Sequence, residues 1–153
     1  MLEPGRRLED IRAWLPLGPA LGTAGQPAAH QFTAIAGAGY EVVINLALPI
    51  SDHAVPNEGE IVTGLGLAYV HLPVDFERPT AADVTAFRRV MRAFDGRRVF
   101  VHCAANMRVS AFVFLHRVLD LGVPRAEAEA DLRRIWQPPG VWAELIERTL
   151  RAG

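Results

Sequence analysis

The chain has no lysine: all 16 of its basic residues are arginine. That excludes Schiff-base chemistry and the lysine of a Walker-type phosphate loop. There is one cysteine, Cys103, so no intrachain disulfide framework exists, and a reducing, cytoplasmic setting is the expectation. Residues 13–40 carry no Asp, Glu, Arg or Lys. The same stretch contains Pro16, Pro19, Pro27 and five glycines, so it cannot supply the roughly 20 consecutive apolar residues of a membrane helix. Nor does the N-terminus have the apolar core of a signal peptide. The 16 basic and 17 acidic residues nearly cancel to a formal charge of −1, which leaves no polybasic surface for nucleic acid. His30, His53, His71 and His116 have no metal-ligand spacing with Cys103, and no metal or cofactor is implied. Gly64-Leu65-Gly66 lacks the third glycine of a dinucleotide fingerprint.

What is present suits one folded domain. Half of the 153 residues are hydrophobic and 22% are charged, a balance that builds a core. Residues 1–19 read as an irregular lead-in, interrupted by Pro4, Gly5, Pro16, Gly18 and Pro19, although Leu8, Ile11, Trp14 and Leu15 can form one turn packed on the domain. Residues 20–153 form the domain. Strands are expected at 20–24, 41–48, 67–72 and 99–102. The first helix is expected to open at Pro27 and stop at Gly37 and Gly39, and a short helix to span 58–65. Thr80 with Asp83 reads as a capping box, followed by an apolar stripe through Val84, Phe87, Val90, Met91 and Phe94. Three more helices are expected at 110–121, 124–136 and 141–151. Alternating strands and helices predict a single α/β domain, with a mostly parallel central sheet of about four to five strands and helices on both faces. Trp136 and Trp142 are expected to pack on the C-terminal helices and could also support a homodimer patch. Arg133-Arg134 reads as a solvated pair.

Ligands of such sheets bind at the carboxyl ends of the strands. There the segment VFVHCAANMRVSAF (residues 99–112) runs from a buried strand through a short loop into an apolar helix. Backbone N–H groups at the start of a helix form an anion cradle, and the helix dipole favours a thiolate beside it. Arg108 adds a planar, forked cation suited to an oxyanion. On chemistry alone this is a reactive cysteine in an anion site.

His102-Cys103 followed by Arg108 and Ser110 resembles the signature of the cysteine-based protein tyrosine and dual-specificity phosphatases. The wider run is similar to small bacterial phosphatase-like proteins of that superfamily: TAGQP at 23–27, a VINL strand, a strand ending in HLPVD, a helix, then the loop. The spacing departs from the family pattern. Four residues rather than five separate Cys103 from Arg108, Val109 stands where the arginine is expected, and Ser110 stands where the hydroxyl residue is expected.

The resemblance implies a metal-free phosphomonoesterase acting through a cysteinyl-phosphate. Cys103 would be the nucleophile. Arg108 and the loop formed by Ala104, Ala105, Asn106, Met107 and Val109 would hold the phosphoryl oxygens, and His102 would orient the loop. Asp75, 28 residues before Cys103, would be the general acid, with Glu77 in reserve. Ser110 would either hydrogen-bond the thiolate or cap the helix. Asn106, where the family has glycine, is expected to take a left-handed turn. The expected partner is a phosphorylated protein or a small phosphomonoester, since the loop adds no basic residues for a polyphosphorylated one. The shortened loop also resembles that of rhodaneses, which makes a sulfurtransferase using a Cys103 persulfide the alternative. An oxyanion-binding protein without turnover is a third reading.

Overall fold

The computed structural model describes residues 7–153. The part of the lead-in formed by residues 1–6, including Pro4 and Gly5, lies outside the described residues. Five strands make one sheet: β1 (Leu15–Pro16), β2 (Leu21–Ala24), β3 (Val42–Asn45), β4 (Ala68–His71) and β5 (Val99–His102). Their spatial order is β1-β2-β5-β3-β4. All pairings are parallel except β1 with β2. The helices are α1 (Phe32–Gly37), α2 (Glu58–Gly64), α3 (Ala81–Ala93), α4 (Met107–Leu119), α5 (Arg125–Arg133) and α6 (Gly140–Ala152).

Side chains alternate across each strand, so the sheet divides the core in two. Val42, Ile44, Val99 and Val101 face a cluster with Val84, Phe87, Phe112, Leu132 and Leu145, on the side of α3 to α6. Val43 and Phe100 face a smaller cluster with Phe32, Ile35 and Val62, on the side of α1 and α2. This is the expected α/β architecture with helices on both faces.

The differences from the sequence expectation have local causes. The lead-in contributes more than a packed turn. Leu8–Asp10 forms a 3-10 turn, Ile11 and Leu15 are buried, and Leu15–Pro16 pairs with β2 as an edge strand. An edge is where a proline is tolerated, because its missing N–H faces outward. Helix α1 opens at Phe32 after a 3-10 turn, Ala29–Gln31, rather than at Pro27. Strand β3 ends at Asn45 rather than at residue 48, because the Asn45 Oδ1 accepts the Ala47 N–H (2.8 Å) and turns the chain. Helix α3 starts as its capping box requires: Thr80 Oγ1 accepts the Asp83 N–H (3.1 Å) and Asp83 Oδ2 accepts the Thr80 N–H (2.9 Å). Helix α4 begins three residues earlier than expected, at Met107, because Asn106 makes the whole turn by itself in the left-handed region (φ 66°).

Candidate functional site

Strand β5 lies at the centre of the sheet and ends at His102. Cys103 therefore sits at the foot of a loop flanked by the ends of β2 and β3. Its N–H donates to the Ala24 carbonyl (3.4 Å), and the Gln26 N–H donates to the Ala104 carbonyl (3.0 Å). The TAGQ segment thus grips the cysteine loop by its backbone. The approach leaves no room for a side chain: a Cβ on Gly25 would meet the Ala104 carbonyl oxygen at 2.6 Å.

The N–H groups of Ala104, Ala105, Met107, Arg108 and Val109 meet no acceptor among the described residues. They form the loop and first turn that open α4, a helix of 13 residues. Free donors at the positive end of a helix dipole, beside a cysteine, have the chemistry of an oxyanion cradle. Asn106 supports the turn rather than the cradle. Its Nδ2 donates to the Ala13 carbonyl (3.0 Å) and to Thr23 Oγ1 (3.1 Å), while its Oδ1 is buried without a partner among the described residues.

Cys103 is fully buried. Arg108 is also buried, and its Nη1 donates to the Val74 carbonyl (2.9 Å). The guanidinium lies 5.8 Å from the centre of the Phe76 ring, within cation–π range. Its other nitrogens meet no acceptor among the described residues and remain available to an anion. Arg108 is thus tied to the loop that carries Asp75. Asp75 itself is exposed, and its Oδ1 accepts the Glu77 N–H (2.9 Å), which turns the loop. Glu77 is exposed beyond it.

The Ser110 hydroxyl bonds neither Cys103 nor a free N–H of the helix start among the described residues. With α4 starting at Met107, Ser110 is in the first turn rather than at the cap. Its hydroxyl donates to the Met107 carbonyl (2.9 Å) and accepts from Trp136 Nε1 (3.0 Å). The two C-terminal tryptophans are likewise committed within the chain. Trp142 is buried, Trp142 Nε1 donates to the Phe76 carbonyl (2.9 Å), and both indoles pack on Phe76 with ring centres 5.7 and 5.8 Å away. The aromatic pair therefore builds the back of the loop that carries Asp75.

The site has one element that sequence reasoning missed. His102 is fully buried, and its Nε2 lies 2.6 Å from Glu58 Oε2. Glu58, also buried, accepts from Gln26 Nε2 on its other oxygen (2.8 Å). Burial pushes the Glu58 carboxyl up, but the hydrogen bonds and charge of His102, helped by Gln26 and Tyr69, bring it below its ordinary value overall. The Tyr69 hydroxyl, which accepts from Asn45 Nδ2 (3.0 Å), is raised by burial and by Glu58. In the sequence Glu58 stands only as the start of a short helix. No local pattern betrays its role, because its partners are 32 and 44 positions away.

Of the remaining histidines, His71 bonds the Ala47 carbonyl and His116 bonds Asp120. Among the described residues there is no group of His, Cys, Asp and Glu able to hold a metal, and no helix long and apolar enough to cross a membrane.

The family model described as a DSP-PTPase phosphatase fused to NAD+ kinase matches residues 18–137. The chain belongs to that family. A DUF442 protein of Shewanella putrefaciens CN-32 is similar along almost its whole length: 36% identity, 95% of each chain covered and a TM-score of 0.85. The beta-lactamase hydrolase-like protein of Xylella fastidiosa is 34% identical over 113 residues, which is 72% of this chain. The chain spans only about a quarter of that protein's length, 26%. Pseudomonas aeruginosa TpbA, solved in complex with pTyr, shares the fold at a TM-score of 0.65, with 98% of this chain and 94% of its own covered and 14% identity. The cysteine-phosphatase superfamily implied by the loop signature is thus the family of this fold. The likeness holds at the level of the superfamily.

Proposed function

We propose that the protein is a metal-free phosphomonoesterase working through a Cys103 cysteinyl-phosphate, on a protein phosphotyrosine or a small aryl or alkyl phosphate. The observation that carries this is the Arg108 to Val74 hydrogen bond. It joins the Arg108 loop to the segment that carries Asp75, which supports a reading in which a nucleophile, an oxyanion cradle and an acid act together at the carboxyl end of β5.

The thiolate attacks phosphorus, and the S–P bond forms as the P–O bond to the leaving oxygen breaks. Asp75, as the carboxylic acid, donates its proton to that oxygen. Water then attacks phosphorus, the S–P bond breaks, the thiolate returns, and the Asp75 carboxylate takes the water's proton. The loop N–H groups and Arg108 stabilise the charge on the equatorial oxygens in both steps.

The test is steady-state hydrolysis of an aryl phosphate without added metal, with wild type beside Cys103→Ser. The expected result is turnover that disappears in the variant. One observation favours sulfur transfer instead: four residues, not five, close the loop between Cys103 and Arg108. Absence of hydrolysis, together with Cys103-dependent transfer of sulfur from thiosulfate to cyanide, would replace the phosphatase reading.

A further inference from the structure

A cavity of about 280 Å³ adjoins the cysteine loop and takes no part in the steps above. It lies where three strands end. Gln26 is two residues past β2, and Asn45 and His71 are the last residues of β3 and β4. Asn45 follows Val43 by two positions, so its side chain falls on the α2 face of the sheet. Two contacts set the cavity beside the cysteine loop. Asn45 is paired with His102 in the sheet, and the Gln26 N–H is bonded to the Ala104 carbonyl. The polar part of the wall is Gln26, Asn45, Glu58, Tyr69 and His71; much of the rest is apolar, with Leu48 and Pro56 among it.

The polar groups keep unspent capacity of both kinds. The two Gln26 Nε2 protons go to the Pro27 carbonyl (2.9 Å) and to Glu58 Oε1 (2.8 Å), so Gln26 Oε1 is an acceptor without a partner among the described residues. Gln26 is only 7% exposed, yet this oxygen is not sealed in, because Asn106 Oδ1 is the one fully buried side-chain atom left unpaired among the described residues. Asn45 spends Oδ1 on the Ala47 N–H and one Nδ2 proton on the Tyr69 hydroxyl, and keeps a second N–H. His71 places Nε2 on the Ala47 carbonyl (2.7 Å), and its Nδ1 has no partner among the described residues. A hydroxyl both donates and accepts, so hydroxyls suit this mixed set.

The charge in the wall is already spent. Glu58 is engaged on both oxygens, by Gln26 and by His102, and no arginine lines the cavity. An ammonium group or a second phosphate would find no free counter-charge. The Tyr69 and His71 rings, with centres 6.1 Å apart, add flat surface for ring carbons. Ligand pockets span about 300–1,000 Å³, so a cavity just under that range holds one ring rather than a peptide segment.

We propose that this cavity is a subsite for a neutral, hydroxylated ring, and that the substrate is a sugar monophosphate with its phosphoryl group in the cysteine loop. This rests on the phosphatase reading for the reaction and narrows its small alkyl phosphates to one class.

Calorimetric titration of Cys103→Ser separates binding from turnover. Inorganic phosphate reads the cysteine loop alone. Glucose 6-phosphate, mannose 6-phosphate and ribose 5-phosphate read the loop and the cavity together. At least one of the three should bind about tenfold more tightly than inorganic phosphate, the gain of one or two added hydrogen bonds. Ala54→Leu enlarges a lining side chain and should bring that ratio back to about one. His71→Phe keeps a ring but removes its nitrogens, and should lower the ratio too. Equal affinity for inorganic phosphate and all three sugar phosphates, or an advantage that survives both substitutions, would overturn the proposal.

The free sugars supply an arm without phosphate. At high concentration glucose, mannose or ribose should shift the side-chain amide signals of Gln26 and Asn45 in the wild-type protein but not in Ala54→Leu. Such shifts in a protein that binds no phosphate would sink the phosphatase reading and leave the subsite. Phosphate binding with no effect of any sugar would sink the subsite and leave the phosphatase reading, and silence in both arms removes both.

Discussion

Asp120 closes α4 at its C-terminal end, and its carboxylate gathers three side chains. Arg88 approaches with two nitrogens, Nε to Oδ2 at 3.0 Å and Nη2 to Oδ1 at 2.8 Å. Arg92 Nη1 reaches Oδ1 at 3.0 Å and His116 Nδ1 reaches Oδ2 at 2.9 Å. Arg88 and Arg92 belong to α3, which follows the Asp75 loop; Asp120 and His116 belong to α4, which follows the cysteine loop. The cluster therefore clamps together the two helices that hold the halves of the site.

Removing one partner of a buried ion pair costs about 3–5 kcal/mol. Here the Asp120 side chain is only 7% exposed, but Arg88 and Arg92 retain 23% and 51% exposure and can turn back to water. That reduces the cost to about 1–3 kcal/mol for Asp120→Asn. At this chain length it corresponds to a fall in Tm of about 3–10 °C at neutral pH.

The pH dependence has a definite sign. The hydrogen bonds from Arg88, opposed by burial and supported by His116, hold the Asp120 carboxyl well below the ordinary carboxylate range. A carboxylate depressed in the folded state stabilises fully above its unfolded value of about 4 and loses that stabilisation as pH falls towards the folded value. The gap between wild type and Asp120→Asn should therefore be constant from neutral pH down to about pH 5, then shrink by up to about 1.4 kcal/mol per pH unit below pH 4. Calorimetric melts of both proteins between neutral pH and about pH 3 measure it. A gap below about 0.5 kcal/mol at neutral pH, or one that widens on acidification, would refute the clamp.

Two further substitutions probe the site itself. Asp75→Asn should lower aryl phosphate turnover by about 10²–10⁴-fold while leaving the Tm within error, since this exposed carboxylate holds only the Glu77 N–H; an unchanged rate removes it from the mechanism. Gly25→Ala should cost about 1–3 kcal/mol and weaken phosphate binding measured by calorimetry, because its Cβ would meet backbone atoms of the cysteine loop. Gly37→Ala, where a Cβ meets nothing within 4 Å, is the control and should leave both values within about 1 kcal/mol of wild type.

The parts of this fold that were legible in the sequence are those governed by local rules. β5 runs over the four residues expected, because VFVH is an apolar run between Arg98 and the loop. Thr80 and Asp83 are three positions apart, and their reciprocal bonds form within one turn. Asn106 took the left-handed conformation expected of a residue standing where the family has glycine. The parts that were not legible depend on distant partners. β1 exists because Leu15 and Pro16 lie against Thr23 and Gly22, and nothing in a proline-bearing pair announces a strand. Glu58 reads as a polar helix start until β5 delivers His102 to it. Ser110 carries the family's hydroxyl position, yet its hydroxyl bonds are set by the early start of α4 and by Trp136, 26 residues on.

The strand order explains why these long-range pieces meet at Cys103. β2 and β3 are neighbours in sequence but not in space, because β5 lies between them. The chain leaves β2 and β3 towards α1 and α2 on one face but leaves β5 towards α4 on the other, so a crevice opens at the carboxyl end of β5. Segments from different strands, and Ala13 ahead of β1, meet the cysteine loop there. Ala24 and Gln26 come from β2, and Val74 comes from the chain beyond β4. Trp136 and Trp142 then brace Phe76 from behind. The Asp75 loop is thus fixed twice, by Arg108 in front and by two indoles at the back. On the proposed reading, an anion that approaches Arg108 must accommodate the existing bond to Val74, which would couple oxyanion binding to the position of Asp75 through one guanidinium.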